Sequence, residues 1–417
     1  MAPRDEVGAE AVPVGAEAAT RGGRGDVLLI LLLAAVTATG PFTLHALSPA
    51  LPAVSAGLDV SAAAAQLLLS LSLVAMAVST LAWGPLSDRY GRRPVLLAGM
   101  VIATLGSALA AVAPTLGVAI LGRLLQAGGA AAGMVLARAV AQDVFGTARA
   151  AGVIGQMTAF MVAAPMVAPT VSGLIVASSD WRGVFWMTAA LCAVLVVWTQ
   201  LALPETAPRG HGRGGPLTML RGFADVGRRR DFWRYAGYAA CSLSGFYYFV
   251  AITPYVMKEA FGQGPAAYGL YFMMLSGTFM VTNFIAGPIS ARFGSERTLM
   301  FGAILSLCGP AISAALLLGG IHLPIVLFLP GMLQSLGGGL AMPNTMAGAV
   351  SAAPGRAGAA SGLLGFSQFI LASATTQVAG FLPHGQALWV PLGMLAMLAM
   401  GVLCLFVLRG SKPLNRR

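Results

Sequence analysis

The chain has 417 residues, 57% of them apolar and only 9% charged, with a mean hydropathy of +0.81 and a formal net charge of +11. A soluble domain carries roughly 25% charged residues, whereas a membrane helix takes about 20 mostly apolar ones. The balance excludes a soluble globular protein, a disulfide scaffold and a disordered chain, and leaves an all-α integral membrane protein with room for about twelve spans.

In chain order, residues 1–26 are rich in Ala and Gly and hold four acids before Asp26. They lack the basic start and cleavage site of a secretory signal and read as a disordered cytoplasmic tail. Apolar runs follow at about 27–51, 64–84, 95–113, 117–139, 152–176 and 184–203. The longest polar stretch, residues 204–231, holds Arg209, Arg213, Arg221 and the run Arg228-Arg229-Arg230, and reads as a cytoplasmic linker. A second set of runs lies at about 233–254, 268–289, 298–319, 324–345, 359–381 and 388–408, before a short tail at 409–417. The expected units are thus two six-helix bundles, residues 27–203 and 232–408.

The basic residues orient the chain. With the N-terminus inside, 22 of the 25 arginines and lysines fall on the tails and the even-numbered connections. Only Arg182 and Lys258 fall on the opposite side, and Arg123 lies within the fourth span. That asymmetry predicts cytoplasmic termini in a multi-pass protein of the inner (plasma) membrane. The basic charge is scattered through loops, so no nucleic-acid partner is expected. The two lysines, Lys258 and Lys412, follow no glycine-rich phosphate loop, so no nucleotide is hydrolysed within the chain. Cys192, Cys241, Cys308 and Cys404 lie in apolar runs without metal-ligand spacing, so they read as packing residues and no metal or cofactor is expected.

The two halves are copies. Gly84-Pro85-Leu86-Ser87-Asp88-Arg89-Tyr90-Gly91 after span two recurs as Gly287-Pro288-Ile289-Ser290-Ala291-Arg292-Phe293-Gly294 after span eight. Gly122-Arg123-Leu124 with Gly128-Gly129 aligns with Gly331-Met332-Leu333 and Gly337-Gly338, an offset of 209, and Arg149-Ala150 aligns with Arg356-Ala357. Two parallel copies facing each other make a seam near the bilayer midplane that rocking can open to either side.

These residues resemble the major facilitator superfamily, whose signature loop matches Gly84 to Pro94 almost letter for letter. More narrowly, the chain is similar to the bicyclomycin-resistance (Bcr/CflA) drug:proton antiporter branch. It shares Arg123-x-x-Gln126-x-x-Gly129, Ala164-Pro165 with Ala168-Pro169, Trp181-Arg182 with Phe185, and Leu203-Pro204-Glu205-Thr206. The resemblance implies twelve transmembrane helices in two pseudo-symmetric bundles, acting as a monomer. It also implies that Asp88 latches against the start of span eleven when the carrier faces outward, braced by Arg89, Arg92 and Arg93 within the turn bounded by Gly84 and Gly91. A carboxylate is stabilised at a helix N-terminus by about 0.3–1 kcal/mol; Ala291 in the second copy makes the latch one-sided.

On span five, Pro165, Pro169 and Gly173 share one face. The family associates that face with antiport through a bend packed on the other half; an ordinary kinked membrane helix accounts for it equally. An arginine inside an apolar span is expensive and faces a cavity or partner. By resemblance Arg123, with Gln126 one turn away, lines the pathway and takes part in proton coupling; a structural anchor is the other reading.

The chain departs from the branch in helix one. The family's Pro-x-x-x-Asp-x-Tyr-Leu-Pro is here Pro41-Phe42-Thr43-Leu44-His45-Ala46-Leu47-Ser48-Pro49, and no Asp or Glu sits well inside any span. His45, with a free pKa of about 6.5, becomes the intramembrane proton carrier. Alternatively it is a neutral hydrogen-bonding group, since burial and a neighbouring Arg123 both disfavour its charged form. A positive interior should favour neutral, zwitterionic or anionic compounds over lipophilic cations, unless aromatic residues such as Phe160, Phe246, Tyr247, Tyr248, Phe249 and Phe366 hold cations by cation–π contact. The expectation is an exporter of small amphipathic drugs or metabolites in exchange for protons; the alternative is a proton-independent or importing carrier for a small metabolite.

Overall fold

The computed structural model describes residues 24–206 and 216–408. Most of the expected N-terminal tail and all of residues 409–417 lie outside it. The first helix already begins at Arg24, so residues 24–26 belong to span one, and Asp26 pairs with Arg149 at 3.3 Å.

Helices long and apolar enough to cross a membrane number twelve among the described residues. In the first half they are Gly25–Gly57, Ala62–Tyr90, Arg92–Ala111, Leu116–Gly146, Gly152–Ser178 and Arg182–Ala202. In the second they are Arg230–Glu259, Pro265–Phe293, Ser295–Leu318, Ile325–Ser351, Ala357–Ala379 and Trp389–Val407. They are numbered here as spans one to twelve. No strand occurs among the described residues; in hydrocarbon a helix satisfies its own backbone polar groups. Within the polar linker a further helix forms at Pro216–Gly227.

The duplication is visible in backbone geometry. Gly91 and Gly294 each end a helix at positive φ, 102° and 88°, and each donates its N–H to the serine carbonyl four residues back. Spans three and four touch at backbone distance: a Cβ on Gly129 would lie 2.4 Å from the Gly99 carbonyl oxygen, and one on Gly337 equally close to that of Gly302. Gly309 meets Pro330 and Gln334 as Gly106 meets Gly122 and Gln126. The equivalence in span four is therefore Gln126 with Gln334 and Arg123 with Gly331, which corrects the sequence offset by one residue. Gly-x-Leu and Gly-Gly recur too often in these helices for letters alone to fix the register; the close backbone contacts do.

The two halves share one core and keep the others apart. The largest buried apolar cluster, from Leu44–Val54 through Trp181, Tyr247–Met257 and Phe272 to Val390, joins both halves at the end away from the termini. At the terminus-bearing end, Leu29–Val36 with Ala132–Ala141 form a core of the first half, and Val226, Phe232 and Leu364 one of the second. Every hydrogen bond between the halves among the described residues lies at the former end. Ser48 Oγ donates to the Val250 carbonyl and shares a bond with the Tyr268 hydroxyl, both at 2.8 Å. Gln66 donates to Ala251 O at 2.7 Å, Ser70 to Gln377 Oε1 at 2.8 Å, and Tyr255 to Leu51 O at 3.2 Å. The molecule is thus sealed at one end of its seam.

Candidate functional site

Arg123 is only 1% exposed and sits in a shell of neutral acceptors. Its Nε donates to Ser72 Oγ at 3.1 Å and toward Leu68 O at 3.4 Å; its Nη1 donates to Thr43 O at 3.2 Å and to Gln126 Oε1. Gln126 in turn donates from Nε2 to Ser107 Oγ at 2.6 Å and Thr188 Oγ1 at 2.9 Å. One guanidinium thereby ties together spans one, two, three, four and six. Its Nη2 is buried without a partner among the described residues, and no carboxylate meets it. A buried cation satisfied only by dipoles retains its full charge, and charges at such depth mark function more often than stability.

His45, 3% exposed, lies on span one, one turn beyond Pro41. His45 Nδ1 is 2.7 Å from Pro41 O. A carbonyl only accepts, so Nδ1 carries hydrogen and the neutral ring presents its lone pair at Nε2. That Nε2 is buried and unpartnered. Around it stand Phe246, Tyr247 and Phe272, with ring centroids 5.6, 5.5 and 6.3 Å away. Tyr247 also stands within electrostatic reach of Arg123, which brings Arg123, His45 and the three rings into one buried cluster of side chains at the seam, the chamber.

The signature loop is assembled, though not as a latch on the second half. Asp88 is half exposed, its carboxylate 2.5 Å from Arg92 Nη1, and does not reach span eleven in this conformation. Arg92 also holds Asp143 at 3.1 Å and Ser87 Oγ at 2.6 Å, while its backbone N–H donates to Glu205 at 2.9 Å. Arg93 donates to Gln200 O at 2.7 Å, and Arg89 stacks over Tyr90. A Cβ on Gly91 would meet Glu205 at 2.5 Å, and Gly84 abuts Val135. The start of span eleven is instead covered by the linker helix. Asp225 pairs with Arg356 at 2.6 Å, and Phe223 packs over Gly362 together with Leu81 of span two.

On span five, Gly173 and Pro169 face span eight of the other half. A Cβ on Gly173 would lie 2.4 Å from Pro265 O, and one on Gly269 would lie 2.6 Å from Pro169 O. Thr170 Oγ1 donates to Gly269 O at 2.9 Å. Pro165 lies one turn earlier within the same helix. Of the aromatic candidates, Phe246 and Tyr247 reach the chamber. Phe249 turns to Phe272 and Phe328, and Tyr248 donates to Trp389 O at 2.7 Å. Phe160 is 48% exposed and Phe366 half-buried, and neither makes a ring contact with the chamber among the described residues. Sequence reasoning missed Phe272, Tyr268, Ser72, Ser107, Thr188, Asp143 and the role of Glu205; only Glu205 stood in a recognised motif. A largely apolar crevice of about 570 Å³ runs between spans eight and ten, past Met274, Thr278, Ile285, Leu336 and Leu340. No cluster of metal-ligating side chains occurs among the described residues.

Comparison with known proteins agrees with this architecture. The family model described as Major Facilitator Superfamily matches residues 28–376, and again 235–417. Multidrug resistance protein D of Escherichia coli is 28% identical over 384 residues, 91% of this chain and 94% of that protein. A bicyclomycin resistance protein homolog of Haemophilus influenzae is 26% identical, covering 83% of this chain and 87% of its own length. Among solved structures, a D-xylose-proton symporter superimposes with a TM-score of 0.71 at 16% identity, over 93% of this chain and 98% of that one.

Proposed function

Because the chain belongs to the major facilitator superfamily, whose members are membrane transporters, we propose that it is a monomeric secondary transporter that exports small amphipathic drugs or metabolites in exchange for protons. The carrying observation is the seam. Two copies of one bundle are joined at a single end by hydrogen bonds from Ser48, Gln66, Ser70 and Tyr255, above a chamber holding His45 and Arg123. Breaking that seal while closing the other end would present the chamber to the opposite side of the membrane. The similarity to proteins named for multidrug and bicyclomycin resistance supports export of drug-like compounds.

The arginine and lysine distribution puts the termini in the cytoplasm, so the sealed end faces out. A fluorescent protein fused at the C-terminus should therefore fluoresce, whereas alkaline phosphatase at the same position should be inactive; the reverse pattern would invert the orientation. Closing the cytoplasmic end brings Asp88 to the start of span eleven, which requires the linker helix and its Asp225–Arg356 pair to give way.

One proton suffices. A charge moving through 100 mV supplies about 2.3 kcal/mol and one pH unit about 1.4 kcal/mol; combined, they support a substrate gradient of roughly several hundred-fold. In an efflux-deficient host the protein should lower drug accumulation, and an uncoupler should erase the effect. The second reading, a proton-independent or importing carrier, draws on the lack of any carboxylate well inside a span. It requires accumulation to equilibrate irrespective of the uncoupler.

A further inference from the structure

We infer that the chamber selects organic anions: amphipathic carboxylates whose head is held by Arg123 and whose apolar body lies among the rings around His45. This names the substrate class of the transport site proposed above and rests on that reading.

Charge comes first. Arg123 keeps three of its hydrogen-bonding directions occupied by Leu68 O, Ser72 Oγ, Thr43 O and Gln126 Oε1, every one of them neutral. Nη2, buried and unpartnered, is the one donor group left over, and only an anion compensates the charge behind it. All ten acids outside the N-terminal tail lie near span ends or in connections, and several beside the inner end are already paired: Asp88 and Asp143 with Arg92, Asp26 with Arg149, Asp225 with Arg356. The polarity is also one-sided, because Gly331 stands at the equivalent place in the second half.

The route is basic as well. Arg138 lies about four turns along span four from Arg123 toward the terminus-bearing end, exposed, with no ion-pair partner among the described residues. An anion entering from that side meets Arg138 before Arg123.

Shape supplies the rest of the class. Phe246, Tyr247 and Phe272 form an edge-and-face cluster with centroids 5.7 and 6.0 Å from Phe246, suited to an aryl or branched alkyl body. The lone pair on His45 Nε2 accepts a hydrogen bond, so it favours substrates that carry a hydroxyl or amide N–H beside the carboxylate and adds no second positive charge while the ring is neutral. An inorganic anion would satisfy Arg123 and leave the rings unused.

The test is a charge series on one ring. 2-Naphthylacetate, 2-naphthylacetamide and (2-naphthylmethyl)trimethylammonium are titrated into purified full-length protein in a low-chloride zwitterionic buffer, with sodium chloride as the inorganic arm. The acetate should bind about ten- to a hundredfold more tightly than the amide, as a charge-assisted hydrogen bond predicts. The ammonium should bind weakest and chloride should compete only far above the acetate's Kd. Arg123→Gln should bring the acetate down to the amide, and Arg123→Lys should keep the order. An amide equal to the acetate, a tighter ammonium, chloride competing at the same concentration, or an unchanged acetate affinity in a folded Arg123→Gln protein overturns the inference. The comparison on the parent chain decides the matter even if both variants fail to fold. Binding is read without vesicles or gradients, so an uncoupler-insensitive exporter would sink the proton reading and leave this order intact.

Discussion

Arg123→Ala is expected to abolish transport while leaving most of the protein folded. The substitution removes the single link that the five spans share, so Thr43 O, Ser72 Oγ and Gln126 Oε1 lose their donor. Each buried acceptor left open destabilises by about 1–3 kcal/mol. Against this, the variant no longer holds an uncompensated charge out of water, a penalty of several kcal/mol per ion. The two effects oppose each other, and the net change in stability should be within about 2 kcal/mol, which a shift in the thermal midpoint of purified protein would report. Function has no such offset: the charge proposed to bind substrate is gone. A fall of at least about tenfold in drug export follows from the loss of one charge-assisted contact. Wild-type export by a well-folded Arg123→Ala protein would relegate the arginine to an anchor.

His45→Ala is the second large effect. Among the described residues it removes the chamber's one titratable side chain besides Arg123 and Tyr247, so proton-driven resistance should be lost while facilitated equilibration of substrate persists. The cavity created in an aromatic wall accounts for about 2–4 kcal/mol of lost packing at most, so folding should survive. His45→Asp puts a carboxylate at the position where the related branch carries one. Coupling should return, now with the site's positive charge balanced: resistance to neutral compounds should recover and tolerance of carboxylates should not. A panel of susceptibilities in an efflux-deficient host reads both. Undiminished proton-dependent resistance in His45→Ala would take the histidine out of the mechanism.

How much of this was legible beforehand depends on range. The spans follow from local composition, because about 20 apolar residues in a row have one solution in hydrocarbon. Arg123 and His45 stood out because a polar group at membrane depth needs a reason. Their partners did not. Ser72, Ser107 and Thr188 are small hydroxyls of a kind found throughout these helices, and nothing in their spacing signals that they converge from three spans on one glutamine and one arginine. The chamber's third ring, Phe272, comes from span eight and reaches His45 only through the association of the halves. The linker read as a polar stretch, yet Gly222, Phe223 and Val226 give Pro216–Gly227 an apolar face for span eleven to cover, a pattern overshadowed by the arginines around it. The repeat was visible, but its register in span four needed backbone contacts to settle.

The joint between spans five and eight has a mechanical meaning. Gly173 against Pro265, and Gly269 against Pro169, bring main chain onto main chain, with Thr170 the only side chain to donate across this joint among the described residues. A surface built mainly of main chain has few rotamers to unpick when it turns. If the proposed alternating access holds, those two helices would roll on each other as smooth rods do in a bearing, holding the halves together while either side opens in turn. On that proposal, the size of the side chain at Gly173 and Gly269, rather than anything near Arg123 or His45, would set how freely the halves turn.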